Sequence, residues 1–111
     1  MSPTLDLWQT EWCPASHRVR QRLTELALPY LVRQVAVDRD ERGELERATG
    51  VRSIPVLVAG RQSIAGEDEI LAYLDSHYPE PPQAAEQRAK AAKAKRKELE
   101  HACLELTSAT P

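Results

Sequence analysis

The chain has 111 residues and a net charge of −2 at pH 7, with 41% hydrophobic and 29% charged residues. This length fits one domain, and this mixture is that of a globular protein rather than a disordered one. No apolar segment follows Met1 and no long apolar run occurs, which argues against a signal peptide and against membrane spanning. Cys13 and Cys103 lie far apart and form no disulfide framework, so a reducing cytoplasm is expected.

The charge is unevenly distributed along the chain. Residues 1–82 carry nine arginines, no lysine and 13 acids, whereas residues 83–111 carry six basic and four acidic residues, with all four lysines. Such a shift in composition usually marks a change of structural unit. We therefore predict a domain over residues 1–82 and a helical extension over residues 83–111.

The first elements meet at a cysteine. Leu5 to Thr10 is typical of a short strand, and from Pro14 apolar residues recur at helical spacing. Proline fits the first turn of a helix, so a strand leads into a helix with Cys13 at the joint. Leu28-Pro29 ends this helix. Tyr30 to Val37 is predicted as a second strand, and its lack of alternation indicates a strand covered on both faces.

A short helix and a hairpin follow. Asp40 to Ala48 is polar and helical, and Gly50 is suited to close it. Ile54 to Ala59 and Gln62 to Ala65 are predicted as hairpin strands, because Gly60-Arg61 suits a tight turn. This order of elements favours an α/β fold.

Two helices complete the chain. Glu67 to Tyr78 is helical, and Pro79, Pro81 and Pro82 end it. Gln83 to Leu106 is predicted as one helix of about 36 Å. Its inner stripe would be Ala85, Ala89, Ala92, Arg96, Leu99, Cys103 and Leu106. This stripe is too poor in large apolar residues for a coiled coil of its own, so the helix should pack on the domain or form a homodimer with a second copy.

Cys13 is the leading candidate for chemistry. A thiol attacks disulfides as the thiolate, and the N–H groups and partial positive charge of a helix N-terminus favour that anion. Ser16, three residues further on, is placed to donate a hydrogen bond to the sulfur. The alternative is that Cys13 is a small buried hydrophobic residue.

Three separate motifs carry a family resemblance. "WCPASHRVRQRL", "SIPVLV" and "GEDEILAYLDSHYP" resemble a glutaredoxin, and equally the N-terminal domain of cysteine-type (omega-like) glutathione transferases. The resemblance implies a thioredoxin-like fold, a four-stranded mixed sheet with flanking helices, and glutathione as co-substrate. It also implies that Pro55 is a cis proline, that the Ile54 backbone pairs with glutathione, and that Pro14 and Ser53 adjoin the ligand.

The third motif has a physical rationale of its own. Gly66-Glu67-Asp68 opens a helix whose N–H groups can hold a carboxylate, while an acidic side chain there can bind an ammonium group. The γ-glutamyl end of glutathione carries both groups, and the resemblance implies that it binds here. The alternative is that these acids only cap the helix.

The sequence departs from the glutaredoxin pattern at several positions. Thr10, followed by Glu11, stands where many members have a lysine for the glycine carboxylate of glutathione, and Arg52 is a candidate replacement. Ala15 replaces a common aromatic residue. Ser16 occupies the place of a second cysteine, which implies a one-cysteine (monothiol) mechanism.

The resulting interpretation is a glutathione-dependent thiol–disulfide oxidoreductase that reduces glutathionylated proteins or small mixed disulfides through Cys13. A non-catalytic thioredoxin-fold module, either a glutathione and iron–sulfur carrier or a protein-binding unit, is the alternative. A transferase is less favoured because one helix after Pro82 is not the helical domain such enzymes use. Cys103 could resolve a disulfide or simply pack, and His17 is expected to face solvent.

Metal and nucleic-acid sites are not expected. No metal-ligand cluster is apparent in the sequence. The basic run from Arg88 to Lys97 contains no aromatic residue and has acids on both sides, which is typical of a solvated helix face.

Overall fold

The computed structural model describes the backbone of residues 3–108 and the side chains of residues 3–101. The strands and α-helices of this part of the chain are β1 (Leu5–Gln9), α1 (Pro14–Glu25), β2 (Leu31–Gln34), α2 (Gly43–Thr49), β3 (Val56–Ala59), β4 (Gln62–Ala65), α3 (Glu67–His77) and α4 (Ala84–Ser108). A short 3-10 helix, Arg39–Glu41, precedes α2.

The four strands form one mixed sheet in the order β2-β1-β3-β4. Strand β1 runs parallel to β2 and antiparallel to β3, and β3 runs antiparallel to β4. Gly60 turns the predicted hairpin with a positive φ of 63°. The fold is thioredoxin-like, as the resemblance implied, and the long C-terminal helix is also confirmed.

The two faces of the sheet have separate cores. Because side chains alternate along a strand, Leu5 and Leu7 of β1 pack with α1 and α3, while Trp8 packs with Leu45 of α2. The first core consists of Leu5, Leu7, Val19, Leu23, Leu26, Leu57, Ala59, Ile64, Ile70 and Leu74. Helices on both faces of the sheet hold β1 and β3 in place. The candidate site lies where β1 ends and β3 begins.

The prediction that the second strand is covered on both faces is wrong. Strand β2 spans only Leu31–Gln34, and all four residues are exposed. It is an edge strand with β1 as its neighbour, so its apolar residues, among them Leu31 at 62% exposure, lie at the rim of the sheet. Lack of alternation was therefore not a sign of burial here.

The helix expected from Asp40 to Ala48 is split in two. Arg42 separates the 3-10 helix from α2, and its buried guanidinium donates hydrogen bonds to the carbonyls of Ala36, Val37 and Arg52 at 2.8, 3.1 and 3.0 Å. These bonds fix the irregular backbone on either side. Gly50 closes α2 in the left-handed conformation, as predicted.

Helix α4 packs on the domain through a different stripe from the predicted one. Ala84, not Ala85, is fully buried, and Ala85, Ala89 and Leu99 of the expected stripe are exposed. Arg88, Ala91 and Lys95 lie toward α1, and with the buried Ala84 they form a stripe that is offset by one residue from the predicted one. Arg88 forms an ion pair with Glu25 of α1 at 3.1 Å. The side chains of Cys103 and Leu106 lie outside the described residues.

A carboxylate cluster joins α4 to α1. Glu25, with a side chain only 9% exposed, accepts hydrogen bonds from Gln21, Arg22 and Arg88 at 3.1, 2.9 and 3.1 Å. Burial raises the pKa of Glu25, but these donors outweigh it and leave the pKa below its usual value. Glu80 pairs with both Arg22 and Arg88. The extension is thus held on the domain, and the boundary at residue 82 stays a prediction.

None of the helices in the described part of the chain is both long enough and apolar enough to cross a membrane.

Candidate functional site

Cys13 caps the N-terminus of α1. Its backbone is extended, with φ −76° and ψ 117°, and its sulfur accepts a hydrogen bond from the Ser16 N–H at 3.4 Å. The Cys13 carbonyl accepts the first helical bond from the His17 N–H at 3.0 Å. The thiol is free and partly exposed. The sulfur therefore sits among the helix-end N–H groups and remains accessible to a substrate, as the sequence predicted.

The surroundings of Cys13 favour the thiolate. Partial burial raises the pKa of the thiol, but the nearby Ser16 hydroxyl, the N–H groups of Ser16 and Ala15, and the charge of Arg18 together outweigh it. The pKa therefore lies below its ordinary value. The Ser16 hydroxyl is fully buried and makes no hydrogen bond of ordinary geometry among the described residues, so it is not committed to another group when the thiolate forms.

The proline motif lies at the same end of the sheet as Cys13. Trp8 pairs with Val56 in the antiparallel β1–β3 ladder, so Ile54-Pro55 lies opposite the end of β1, from which the chain continues to Cys13. The Ile54-Pro55 bond is cis and Pro55 is fully buried, whereas Ser53 is exposed. This backbone conformation agrees with the resemblance.

The glycine of the third motif is bonded to that proline. The Gly66 N–H donates to the Pro55 carbonyl at 3.0 Å, and the Gly66 carbonyl accepts the first bond of α3 from Ile70 at 3.0 Å. Gly66 has φ 94°, a conformation that strongly favours glycine. Three motifs that are distant in the sequence are thus brought to one end of the sheet.

The two acids of the third motif have different environments. Glu67 forms a two-pronged ion pair with Arg18, with Oε1 2.8 Å from Nη2 and Oε2 in contact with Nε. This pairing lowers the pKa of Glu67. Asp68 is exposed, and none of the described side chains forms an ion pair with it. Asp68 is consequently the acid left available for an ammonium group.

The residues before Cys13 are held by Arg20. Its guanidinium contacts Gln9 Oε1, donates to the Thr10 carbonyl at 3.3 Å and pairs with Glu11 at 3.4 Å. Gln9 continues the chain of bonds to Gln34 of β2 at 2.9 Å. The charge of Glu11, which would oppose the thiolate, is therefore partly neutralised, and the loop that carries Cys13 is tied to the sheet.

Arg52 is engaged elsewhere in the domain. It contacts Glu46 and donates to the carbonyls of Asp40 and Arg39 at 2.7 and 3.2 Å. These bonds brace the loop before the proline motif, and a role toward the glycine carboxylate of glutathione stays a prediction. His17 is exposed, as expected.

Arg18 and Arg20 are the site residues that the sequence analysis missed. Arg18 touches Glu67 across 49 positions of the chain, and Arg20 acts on backbone that precedes it by ten residues. Arginines between apolar positions of a helix are usually solvated. Only their spacing after Cys13, which places them within two turns of the helix N-terminus, could have drawn attention to them.

Other features of the described residues lie away from this site. An apolar cleft of about 520 Å³ opens at the opposite end of β1, between Leu5, Tyr30 and Tyr78. Within residues 3–101 there is no group of three or more histidine, cysteine or acidic side chains that could hold a metal ion.

Cys13, a partly exposed thiol at a helix N-terminus, and the buried cis proline lie at the same end of a thioredoxin-like sheet. Residues 7–82 match the family model described as the glutathione S-transferase N-terminal domain. The chain belongs to that family. A search of curated proteins gave no match.

Solved structures agree with this assignment. The chain is similar to a glutathione transferase homologue from Drosophila mojavensis with bound glutathione, at 29% identity and TM-score 0.63, over 70% of this chain and 36% of that one. It is similar to a rice GST in complex with glutathione, at 27% identity and TM-score 0.62, over 87% and 45%. It is also similar to a dehydroascorbate reductase from Chlamydomonas reinhardtii, at 25% identity and TM-score 0.58, over 70% and 40%. The chain thus spans less than half the length of these proteins.

Proposed function

We propose that the chain is a glutathione-dependent thiol–disulfide oxidoreductase of the one-cysteine type, acting in the cytoplasm. The observation that carries this proposal is the position of the free, partly exposed Cys13 thiol at the N-terminus of α1, where its sulfur accepts the Ser16 N–H; the lowered pKa of the thiol agrees with it. Ser16 stands where a second cysteine would be, so no C-x-x-C disulfide can form, and the proposal assigns resolution of the Cys13 disulfide to an external thiol.

The proposed reaction has two exchange steps. The Cys13 thiolate attacks the glutathione sulfur of a mixed disulfide, forms a bond to it and displaces the substrate thiolate, which takes up a proton. A second glutathione thiolate then attacks the same sulfur, leaves as oxidised glutathione and regenerates the Cys13 thiolate. In the net reaction the substrate sulfur is reduced to a thiol and one free glutathione is oxidised, because the other half of the oxidised glutathione comes from the mixed disulfide. The rate depends on thiolate fraction, leaving group and access.

We propose that glutathione binds along the end of the sheet beside Cys13. The backbone of Ile54, held by the cis Pro55, would pair with the peptide, with Ser53 and Pro14 at the edges. The N-terminus of α3 at Gly66 offers N–H groups for the γ-glutamyl carboxylate, and Asp68 offers a free carboxylate for its ammonium. Bound glutathione in the Drosophila mojavensis and rice structures supports this assignment.

The test is turnover of a small glutathione mixed disulfide in the presence of glutathione. We expect the wild-type chain and Cys103→Ala to be active, and Cys13→Ser to be inactive although folded. Turnover that survives in Cys13→Ser, or wild-type turnover no faster than the uncatalysed exchange, would exclude the proposal.

Conjugating glutathione transferase activity is a second candidate, favoured by the family match over residues 7–82. In conjugation the thiolate of glutathione itself attacks an electrophile, and Cys13 forms no covalent bond. Conjugation of an aryl chloride that is equally fast in wild type and Cys13→Ser would therefore support the transferase. Mixed-disulfide turnover that is lost in Cys13→Ser, with no conjugation by the wild-type chain, supports the oxidoreductase.

A further inference from the structure

A second cleft adjoins Cys13 and is not used by the glutathione site proposed above. It lies between α1, α3 and α4, has a volume of about 520 Å³, and begins at Pro14, the residue after the cysteine. Its other lining residues are His17, Arg18, Gln21, Arg22, Glu25, Leu71 and Lys95. Because Pro14 directly follows Cys13, the cleft begins one residue away from the thiol.

The lining of this cleft is rich in cations. Arg18, Arg22 and Lys95 contribute three positive charges, and Glu25 is the acid among the lining residues. Glu25 is already satisfied by Arg22 and Arg88. An entering anion therefore meets no unpaired carboxylate in the lining of the cleft.

Lys95 is the charge available to a ligand. Arg18 is paired with Glu67, and Arg22 with three acids. Lys95 is exposed and forms no ion pair with any side chain of residues 3–101; Glu98, three residues further on, lines the neighbouring groove. His17, also exposed, lies in the same cleft and adds a hydrogen-bond donor. Lys95 comes from α4, so the extension itself supplies this part of the site.

We propose that this cleft receives the thiol half of the substrate and selects thiols that carry a carboxylate, through Lys95 with His17 beside it. The inference rests on the proposed function for its substrate, but the electrostatic preference belongs to the Cys13 surroundings and exists without turnover. In the exchange reaction the attacked disulfide sulfur stays with glutathione, and the departing thiolate leaves with its carboxylate still in the cleft.

The direct test compares two alkylating reagents that share one reactive carbon and differ in charge. Iodoacetate is anionic and iodoacetamide is neutral, and the ratio of their rates at one pH cancels the thiolate fraction of Cys13. In the Cys103→Ala chain, Lys95→Glu should lower the iodoacetate-to-iodoacetamide ratio by about two- to fivefold, the effect of reversing one exposed charge near the sulfur. The difference should shrink at about 1 M salt.

Lys97→Glu is the matched control. It makes the same charge change on α4, but two residues further on, about 200° around the helix, and it does not line the cleft. Its rate ratio should remain that of the parent chain. A ratio that is unchanged in Lys95→Glu, or that falls equally in both variants, overturns the proposal, since the preference would then be absent or would reflect net charge.

Turnover separates this inference from the proposed function. The substrates are glutathione mixed disulfides of mercaptopropionate, which is anionic, and of mercaptoethanol, which is neutral. We expect a preference for the first in kcat/KM that Lys95→Glu removes and Lys97→Glu retains. Equal use of both substrates refutes the selection. Turnover of neither, together with a reagent ratio that responds to Lys95→Glu, refutes the oxidoreductase and leaves the anion preference of the cleft standing.

Discussion

Removing the Ser16 hydroxyl tests the basis of Cys13 reactivity. Ser16 is fully buried, and its Oγ has no other partner among the side chains described, so Ser16→Ala deletes one atom without breaking another hydrogen bond. The fold should therefore tolerate the change. The thiolate, in contrast, loses a donor, and the pKa of Cys13 should rise because the anion is the form that the hydroxyl stabilises.

The expected size of the shift follows from the hydrogen bonds that remain. The Ser16 N–H still donates to the sulfur at 3.4 Å, and the helix-end N–H of Ala15 still lowers the pKa. A bond from a hydroxyl to a large, partly solvated sulfur is comparable to an ordinary hydrogen bond, about 0.7–1.4 kcal/mol, and weaker than a bond to a small ion. Its loss should lower the thiolate-to-thiol ratio about three- to tenfold at a given pH, so the midpoint moves upward.

The assay is the rate of alkylation by iodoacetamide against pH in the Cys103→Ala chain, whose midpoint reports Cys13. Thr10→Val is the matched control, because Thr10 Oγ1 is likewise buried and unpartnered among the described residues. Its midpoint should stay where it is in the parent. If Ser16→Ala leaves the midpoint unchanged, or if Thr10→Val moves it equally, the hydroxyl does not stabilise the thiolate and the reasoning is refuted.

Three further predictions concern the charges around the site. Asp68→Ala should raise the KM for glutathione in turnover without changing the rate of Cys13 alkylation. Glu69 is an exposed acid in the same helical turn, and Glu69→Ala should change neither quantity. Equal effects of the two substitutions would mean that these acids serve only the helix. Arg18→Gln should raise the pH midpoint of Cys13 alkylation by less than Ser16→Ala does. Because Arg18 is exposed, added salt should make this shift smaller. A shift that does not depend on salt would contradict a charge effect. Glu25 has a lowered pKa, so its ionised form stabilises the fold above about pH 4.3, and this stabilisation is lost as the pH falls through the folded-state pKa. Glu25→Gln should therefore lower the free energy of unfolding by about 1–2 kcal/mol at pH 7, and by less at low pH, as measured by denaturant unfolding. An equal decrease at both pH values would contradict this.

The amino-acid sequence by itself determined the elements and the three motifs. Within a helix, proline is tolerated only in the first turn, so Pro14 places the start of α1 and makes Cys13 its N-cap. Gly50 and Gly60 lie at positions where the backbone takes a positive φ. These are local properties of the backbone and survive any tertiary arrangement. The family resemblance, carried by motifs such as "SIPVLV", implied a four-stranded mixed sheet and a cis proline at Pro55. Both are present in the structure.

The tertiary structure decided which side of each element is covered. Strand β2 was expected to be buried and is the exposed edge, because burial depends on neighbouring elements and not on the composition of the strand. For the same reason the inner stripe of α4 is offset by one residue from the predicted one. Arg88 docks the helix on Glu25 through an ion pair across 63 positions, which no periodicity of apolar residues reveals.

The partners of the charged residues at the site were also decided only by the fold. The sequence placed both Glu67 and Asp68 at the expected glutathione site, but only the fold shows that Arg18 pairs with Glu67 and that Asp68 forms no ion pair with a described side chain. Lys95 looked like one of several solvated lysines, and packing of α4 against α1 brought it to a cleft beside Pro14. Charged side chains are long, and pairing between them depends on distances in space that residue spacing along the chain does not define.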